Sequence, residues 1–166
     1  MKKILGIVII SIIISIIPIA NAQFSIGVEA EQKLIELTVD KSEKIKVKHV
    51  ISASKMPVTV NLFNGVIVES IEIKNENDEK KEISLTNDGK GTQVITIFPT
   101  KTNSIIKYNL EDKSSLYDNL WTIRTQYNEN YSIIFPEDVK YIFLNNNIIP
   151  LENQKGISVN GGGNII

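Results

Sequence analysis

The chain has 166 residues, a formal net charge of -1, one arginine and no cysteine. The lack of cysteine excludes disulfides, cysteine-ligated zinc, iron–sulfur clusters and a thiol nucleophile. Nucleic acid is not expected as a partner, because its recognition needs clustered basic side chains and this mildly acidic chain has a single guanidinium group, at Arg124. The length suits one or two small domains.

The first residues follow the order of a secretory signal peptide. Lys2 and Lys3 form a positively charged start, and residues 4–17 are apolar apart from one glycine and two serines. This pattern predicts export across a membrane. The expected location is therefore secreted or at the cell surface, outside the cytoplasm.

Signal-peptide cleavage is expected before Gln23, because Ala20 and Ala22 are the small residues that a signal peptidase recognises. Cleavage would remove residues 1–22, with two lysines and no acid, and so move the net charge from -1 to -3. The alternative is an uncleaved anchor formed by residues 4–20, since about 17 apolar residues are the lower limit for a helix that spans a hydrocarbon core of about 30 Å. Membrane contact is expected only through this segment, if it stays uncleaved.

From Phe24 onwards, apolar side chains recur with a period of two and not 3.6, which predicts β-strands. Residues 44–48 alternate between lysine and apolar side chains, which is typical of a strand with one buried and one solvated face. About seven strands are predicted between residues 31 and 110, at a spacing that favours an immunoglobulin-like or fibronectin-like β-sandwich. The predicted fold class is therefore all-β, preceded by the N-terminal signal helix.

Two local features of this region predict changes of chain direction or phase. Asn64-Gly65 separates the β-rich runs 58–62 and 66–68, and both residues tolerate positive φ, so a hairpin is predicted there. A change of phase at Glu69 and Ser70 indicates a β-bulge in the continuing strand.

The sequence is predicted to divide into a β-sandwich domain, residues 23–112, and a second β unit, residues 113–166. The second unit is too short for a substantial core of its own, so it packs on the first or opens a longer domain. Its end is apolar, with Ile165 and Ile166 after a glycine-rich stretch, whereas chain ends are usually polar. This favours slightly an incomplete unit over a terminal strand that docks into a sheet.

Aromatic residues of the second unit are the candidate ligand-binding residues. Trp121, Tyr127 and Tyr131 could stack on sugar rings, but Trp121 and Tyr127 also share a predicted strand face with Ile123, which core packing explains better. Asn130 begins the one Asn-X-Ser/Thr glycosylation sequence of the chain, in a predicted turn where a glycan would fit.

His49 is the one histidine, and it follows Ile45 and Val47 on the apolar face of their strand. A partly buried histidine whose nitrogen atoms are satisfied is the favoured interpretation. No catalytic set, metal site or cofactor is predicted. The acids and asparagines of residues 75–79 could offer oxygen ligands to calcium, but solvated charge between two strands explains them better.

Six groups of residues, in order along the chain, resemble a group of uncharacterised exported β-sandwich proteins of ammonia-oxidising archaea. They are Lys48-His49-Val50-Ile51-Ser52, Ile97-Phe98-Pro99, Lys107-Tyr108-Asn109-Leu110-Glu111-Asp112, Leu120-Trp121-Thr122, Ile134-Phe135-Pro136 with Phe143-Leu144-Asn145-Asn146, and Lys155-Gly156 with Gly161-Gly162. The resemblance spans residues 44–163. It implies an exported β-sandwich that continues into further β modules and is held at the membrane, and it carries over no functional residue.

These observations predict a non-catalytic module of the cell envelope or surface, with a structural or binding role. Its expected partners are other envelope proteins or glycans. One alternative is an exported glycoside hydrolase, which would need two of the 19 acids to converge in a cleft. Another is a glycan-binding module that uses Trp121 and the nearby tyrosines.

Overall fold

The computed structural model describes residues 27–41, 44–89, 91–111, 114–117, 120–123, 125–138, 148–152, 155–161 and 164–165. The predicted signal helix and the cleavage positions Ala20, Ala22 and Gln23 lie outside the described residues. The described part contains fifteen strands, one 3-10 turn at Val68–Ser70 and no α-helix, so the all-β prediction is confirmed. In this part of the chain there is also no helix with the length and apolar character needed to span a membrane.

The strands are short, and they are numbered here in chain order. They are β1 (Val28–Glu29), β2 (Gln32–Val39), β3 (Ile45–Ile51), β4 (Val58–Asn61), β5 (Glu72–Asn75), β6 (Ile83–Asn87), β7 (Gln93–Ile97), β8 (Ser104–Asn109), β9 (Ser114–Tyr117), β10 (Leu120–Ile123), β11 (Thr125–Gln126), β12 (Tyr131–Ile134), β13 (Ile148–Pro150), β14 (Gly156–Val159) and β15 (Asn164–Ile165).

The larger sheet has seven strands in the order β13-β14-β12-β2-β3-β8-β5. It is mixed, because β12 runs parallel to β2 whereas the other neighbours are antiparallel. The alternation predicted for β3 is present: Ile45 and Val47 are buried and Lys46 is exposed. Ile45, Val47 and Ile51 therefore face the core, whereas Val50 is half-buried on the face of the two lysines, since successive side chains of a strand point to opposite faces.

The smaller sheet has four strands in the order β1-β4-β7-β6, with β1 parallel to β4 and the other pairs antiparallel. From β1 to β8 the chain passes from one sheet to the other five times: after β1, after β3, after β4, after β5 and after β7. Side chains from both sheets consequently bury one another in a shared core. Its members include Leu37, Val47, Val60, Ile95 and Ile106.

The hairpin predicted at Asn64-Gly65 is wrong. Gly65 has a positive φ of 81° and makes a turn, but β4 pairs with β7 and the next strand, β5, lies in the other sheet. The physical reason is that Leu62 and Phe63 are both buried, which breaks the alternation and directs the chain into the core. The phase change at Glu69 and Ser70 is the 3-10 turn, not a bulge.

Strands from the C-terminal third extend the seven-stranded sheet. Residues Ser132, Ile133 and Ile134 of β12 lie opposite Glu36, Leu37 and Thr38 of β2, and β14 and β13 follow on the other side. Through them Tyr131, Ile133, Ile157 and Val159 join the shared core. Two further strand pairs are β9 with β10, and β11 with β15. The described terminal residues Asn164–Ile165 are therefore paired with β11.

Candidate functional site

A buried group of polar and aromatic residues surrounds the one histidine. His49 lies on the inner face of β3 and is 0% exposed. Its Nδ1 lies 2.6 Å from the Gln32 amide oxygen, and its Nε2 lies 2.8 Å from the Tyr108 hydroxyl oxygen. Both nitrogen atoms have hydrogen-bond partners, as predicted, but the ring is fully buried and not partly buried as expected.

The partners of His49 determine where its proton is. An amide oxygen only accepts hydrogen bonds, so Nδ1 carries the proton and donates it to Gln32. The Tyr108 hydroxyl accepts the backbone N–H of Phe63 at 3.0 Å, and its own proton is therefore free to be donated to Nε2. His49 is thus a neutral imidazole whose two nitrogen atoms have complementary partners.

Gln32 connects this histidine to the C-terminal part of the chain. Its amide nitrogen donates to the Tyr127 hydroxyl at 3.1 Å and to a carboxylate oxygen of Glu129. The Tyr127 hydroxyl in turn donates to the backbone carbonyl of Asn61 at 2.7 Å. We call His49, Gln32, Tyr108, Tyr127 and Glu129 the His49 cluster. It joins strands β2, β3 and β8, the end of β4 and the segment between β11 and β12.

A β-bulge brings Gln32 into the cluster. Counting by twos from Ile35, which is buried, would place Gln32 on the outer face of β2. The register with β3 shifts between Gln32 and Leu34, so Lys33 is the extra residue and remains exposed. The bulge reverses the phase and turns Gln32 inwards. Sequence reasoning missed Gln32 because no residue pattern in β2 marks the bulge.

Burial determines the electrostatics of the His49 cluster. It lowers the pKa of His49 from 6.5 to about 3, because the buried site removes the hydration that stabilises an imidazolium in water. Burial likewise raises the pKa of the Tyr108 and Tyr127 hydroxyls, which stay protonated. The pKa of Glu129 is raised mainly by its partial burial. At neutral pH the side chains of His49, Tyr108 and Tyr127 are therefore uncharged and contribute hydrogen bonds within the core.

The candidate sugar-stacking tyrosines are core residues. Tyr127 is 7% and Tyr131 3% exposed, and Phe63 stacks on Tyr127 with ring centroids 4.3 Å apart. Phe63 also meets Tyr131 edge to face at 5.3 Å. Stacking on a sugar requires an exposed ring face, which neither tyrosine offers. Trp121 lies in β10, opposite Leu116 of β9, and its side chain lies outside the described residues.

The side-chain oxygen atoms of Asn75, Asp78 and Glu79 accept hydrogen bonds from nitrogen donors within residues 74–79. The Asn75 amide oxygen accepts the backbone N–H groups of Asn77 and Glu79 at 3.0 and 2.9 Å, and the Asn75 amide nitrogen donates to the Glu79 carboxylate. Asp78, which has a positive φ of 66°, pairs with Lys74 at 2.9 Å. Within the described ranges, no three His, Cys, Asp or Glu residues are grouped as metal ligands would be.

The exposed apolar residues of the four-stranded sheet collect at one end. Val28 is 51%, Met56 58% and Phe98 50% exposed. Val28 pairs with Val58, which pairs with Ile97 on its other side, so the three exposed residues lie at or just beyond the same ends of β1, β4 and β7. We call this the apolar end. Strand alternation does not reveal it, because the residues come from three distant stretches of sequence.

Asn130 lies on the surface in the turn between β11 and β12. It is exposed, and its side-chain oxygen accepts the backbone N–H of Gly161 at 2.7 Å. The next residue, Tyr131, points into the core, and Ser132 is half-buried. The structure therefore places the acceptor asparagine of the predicted glycosylation sequence in a turn.

No protein-family model, no curated protein and no solved structure matches this chain.

Proposed function

We propose that this chain is a non-catalytic β-sheet module of the cell envelope or cell surface that holds or binds other envelope components. The apolar end carries the proposal. Large exposed apolar side chains that gather at one place on a surface are typical of interaction sites. Val28, Met56 and Phe98 come from three separate strands or their extensions, and a shared core holds those strands in position.

Export outside the cytoplasm is part of this proposal. It is supported by the signal-peptide pattern of residues 1–22. Among the described residues the buried core begins at Ala30, so cleavage before Gln23 would remove no residue of that core. The cleaved chain would retain both sheets as described.

We also propose that the two sheets form an immunoglobulin-like sandwich in the broad sense. The constant-type arrangement has strands A-B-E-D in one sheet and C-F-G in the other. The corresponding pairings here are β2-β3-β8-β5 and β4-β7-β6. The positions of E, F and G are taken by β8, β7 and β6, so these three strands follow one another along the chain in the opposite order. The shared core supports the proposal. A crystal structure with the two sheets about 10 Å apart and face to face would test it.

The binding role is tested by site-specific cross-linking of the full-length chain. A photo-reactive amino acid is placed at Met56 or Phe98 in the apolar end, and at Ile149 as the matched control. Ile149 is 59% exposed but lies on β13, at the edge of the other sheet. After irradiation in envelope fractions, we expect a discrete cross-linked product from the first two positions and none from Ile149.

The outcome separates the location of the chain from its binding role. Chain recovered only from the cytoplasm would contradict export. Chain recovered outside the cytoplasm, with the same cross-linking at Met56 and Ile149, would contradict the apolar end as the binding surface.

A further inference from the structure

We propose that Asn130 carries an N-linked glycan, and that the glycan is attached before strand β12 joins the sheet. The inference rests on the proposed function, because only an exported chain meets a membrane-bound oligosaccharyltransferase. It goes beyond the sequence pattern, since three features of the folded chain determine how the glycan would be held and when the asparagine is available.

The first feature is the fixed orientation of the Asn130 side chain. A backbone N–H meets an oxygen, not an amide nitrogen, so the bond from Gly161 identifies the Oδ1 position of Asn130. Nδ2 is the other branch of the same exposed amide. A glycan replaces one hydrogen of Nδ2 and leaves Oδ1 with its lone pairs, so the bond to Gly161 persists in the modified protein.

The second feature is the close packing of the two turns that meet at Asn130. A Cβ atom added to Gly161 would collide with the backbone carbonyl oxygen of Asn128, so only glycine allows the turns to approach this closely. This contact keeps the Gly161 N–H beside Asn130. The first sugar would therefore be attached to a side chain whose oxygen is held by the Gly161 N–H, and it would point away from the surface.

The third feature is the burial of the two residues that follow Asn130. Tyr131 is in the core, with its hydroxyl 2.7 Å from Thr125 Oγ1. Ser132 is half-buried, and its hydroxyl donates to the Ile35 carbonyl of β2 at 3.4 Å. Recognition of an Asn-X-Ser segment requires the serine hydroxyl to be accessible, and β12 is enclosed between β2 and β14. Transfer must therefore precede the docking of β12.

The transfer is a substitution at carbon. The co-reactant is an oligosaccharide linked through its first carbon, C1, to a lipid phosphate or diphosphate. Nδ2 of Asn130 forms a bond to C1, the C1–O bond breaks, and the lipid phosphate leaves with the electron pair. One proton passes from Nδ2 to a base of the transferase, and no atom is oxidised or reduced.

The test uses the full-length chain, purified oligosaccharyltransferase and its lipid-linked oligosaccharide. The enzyme receives the chain either fully folded or unfolded in a denaturant concentration that the enzyme tolerates. The intact mass of the chain is then measured. We expect the mass of one glycan on the unfolded chain and at least a tenfold lower yield on the folded chain. Failure of the unfolded chain to accept the glycan would overturn the site, and equal yields would overturn the proposed timing.

Four variants locate the modification. Asn130→Gln and Ser132→Ala are expected to abolish the added mass, whereas Ser132→Thr retains it because the hydroxyl remains. Asn128→Gln is the matched control, an exposed asparagine of the same turn that begins no glycosylation sequence. Added mass that survives Asn130→Gln would overturn the assignment.

A second measurement separates this inference from the proposed function. The full-length chain is produced in a host with both export machinery and an oligosaccharyltransferase, and its fractions are analysed by mass. Exported chain without the glycan would overturn the inference and leave the proposed function intact. Chain confined to the cytoplasm would overturn the proposed function, and the purified reaction above would still decide whether Asn130 is an acceptor.

Discussion

The two ends of strand β4 have different surroundings: one lies in the buried His49 cluster and the other at the exposed apolar end. At its last residue, Asn61, the chain reaches the His49 cluster, where the Asn61 carbonyl and the Phe63 N–H both bond to tyrosine hydroxyls. Just before its first residue Met56 is exposed, beside Val28 and Phe98. At one end backbone polar groups are hydrogen-bonded inside the core, and at the other end apolar side chains are exposed to solvent. Stability and binding are therefore expected to depend on different residues.

Truncation of the histidine should have the largest effect on stability. His49→Ala removes a buried ring, leaves a cavity and deprives Gln32 and Tyr108 of their partners. We expect a loss of about 3–5 kcal/mol in the free energy of unfolding, measured by chemical denaturation. Lys46→Ala, on the exposed face of the same strand, is the control and should cost well under about 1 kcal/mol. Similar losses in the two variants would contradict the contribution of the His49 cluster to stability.

The pH dependence of stability is the second effect. The pKa of His49 is 6.5 when unfolded and about 3 when folded, so between these values the unfolded chain binds more protons. Stability must fall as the pH falls through this window. A single such group accounts for about 2 kcal/mol between pH 7 and pH 5.

The comparison with His49→Gln isolates this contribution. The variant lacks the titrating ring but retains the carboxylates, including Glu129, so their contributions cancel when the two pH profiles are subtracted. We expect the profile of the variant to be flatter by about 2 kcal/mol over the same range. Parallel profiles would show that folding does not lower the pKa of His49.

Hydroxyl removal should have a smaller effect, graded by the number of partners lost. Tyr127→Phe breaks the bond to the Asn61 carbonyl and removes one of the two acceptors of the Gln32 amide nitrogen, whereas Tyr131→Phe loses only the hydrogen bond with Thr125. We expect losses of about 1–2 kcal/mol for Tyr127→Phe and about 1 kcal/mol for Tyr131→Phe. Denaturation midpoints in the reverse order would contradict the hydrogen-bond assignment at Gln32.

Parts of this arrangement were predictable from the sequence, since local alternation is a strong signal. The lysines of β3 placed His49 on the inner face. Gln32 was not predictable, because a bulge reverses the phase of β2, and a bulge depends on pairing with a strand elsewhere in the chain. The hairpin prediction at Asn64-Gly65 was wrong because the burial of Leu62 and Phe63 outweighed the preference of the turn. The apolar end depends on pairings between distant segments, which one sequence does not specify.

The smallest effect on stability is expected at the apolar end. A small effect there would separate the binding surface most clearly from the His49 cluster. Met56→Ser and Phe98→Ser replace half-exposed side chains, so each should change the free energy of unfolding by less than about 0.5 kcal/mol while reducing cross-linking to envelope partners. Val58→Ser is the matched control, because it lies two residues after Met56 and is buried. It removes apolar burial and leaves a hydroxyl in the core, which should cost about 2 kcal/mol or more. If Met56→Ser destabilised the protein as much as Val58→Ser, Met56 would be a core residue and the apolar end would not be available to a partner.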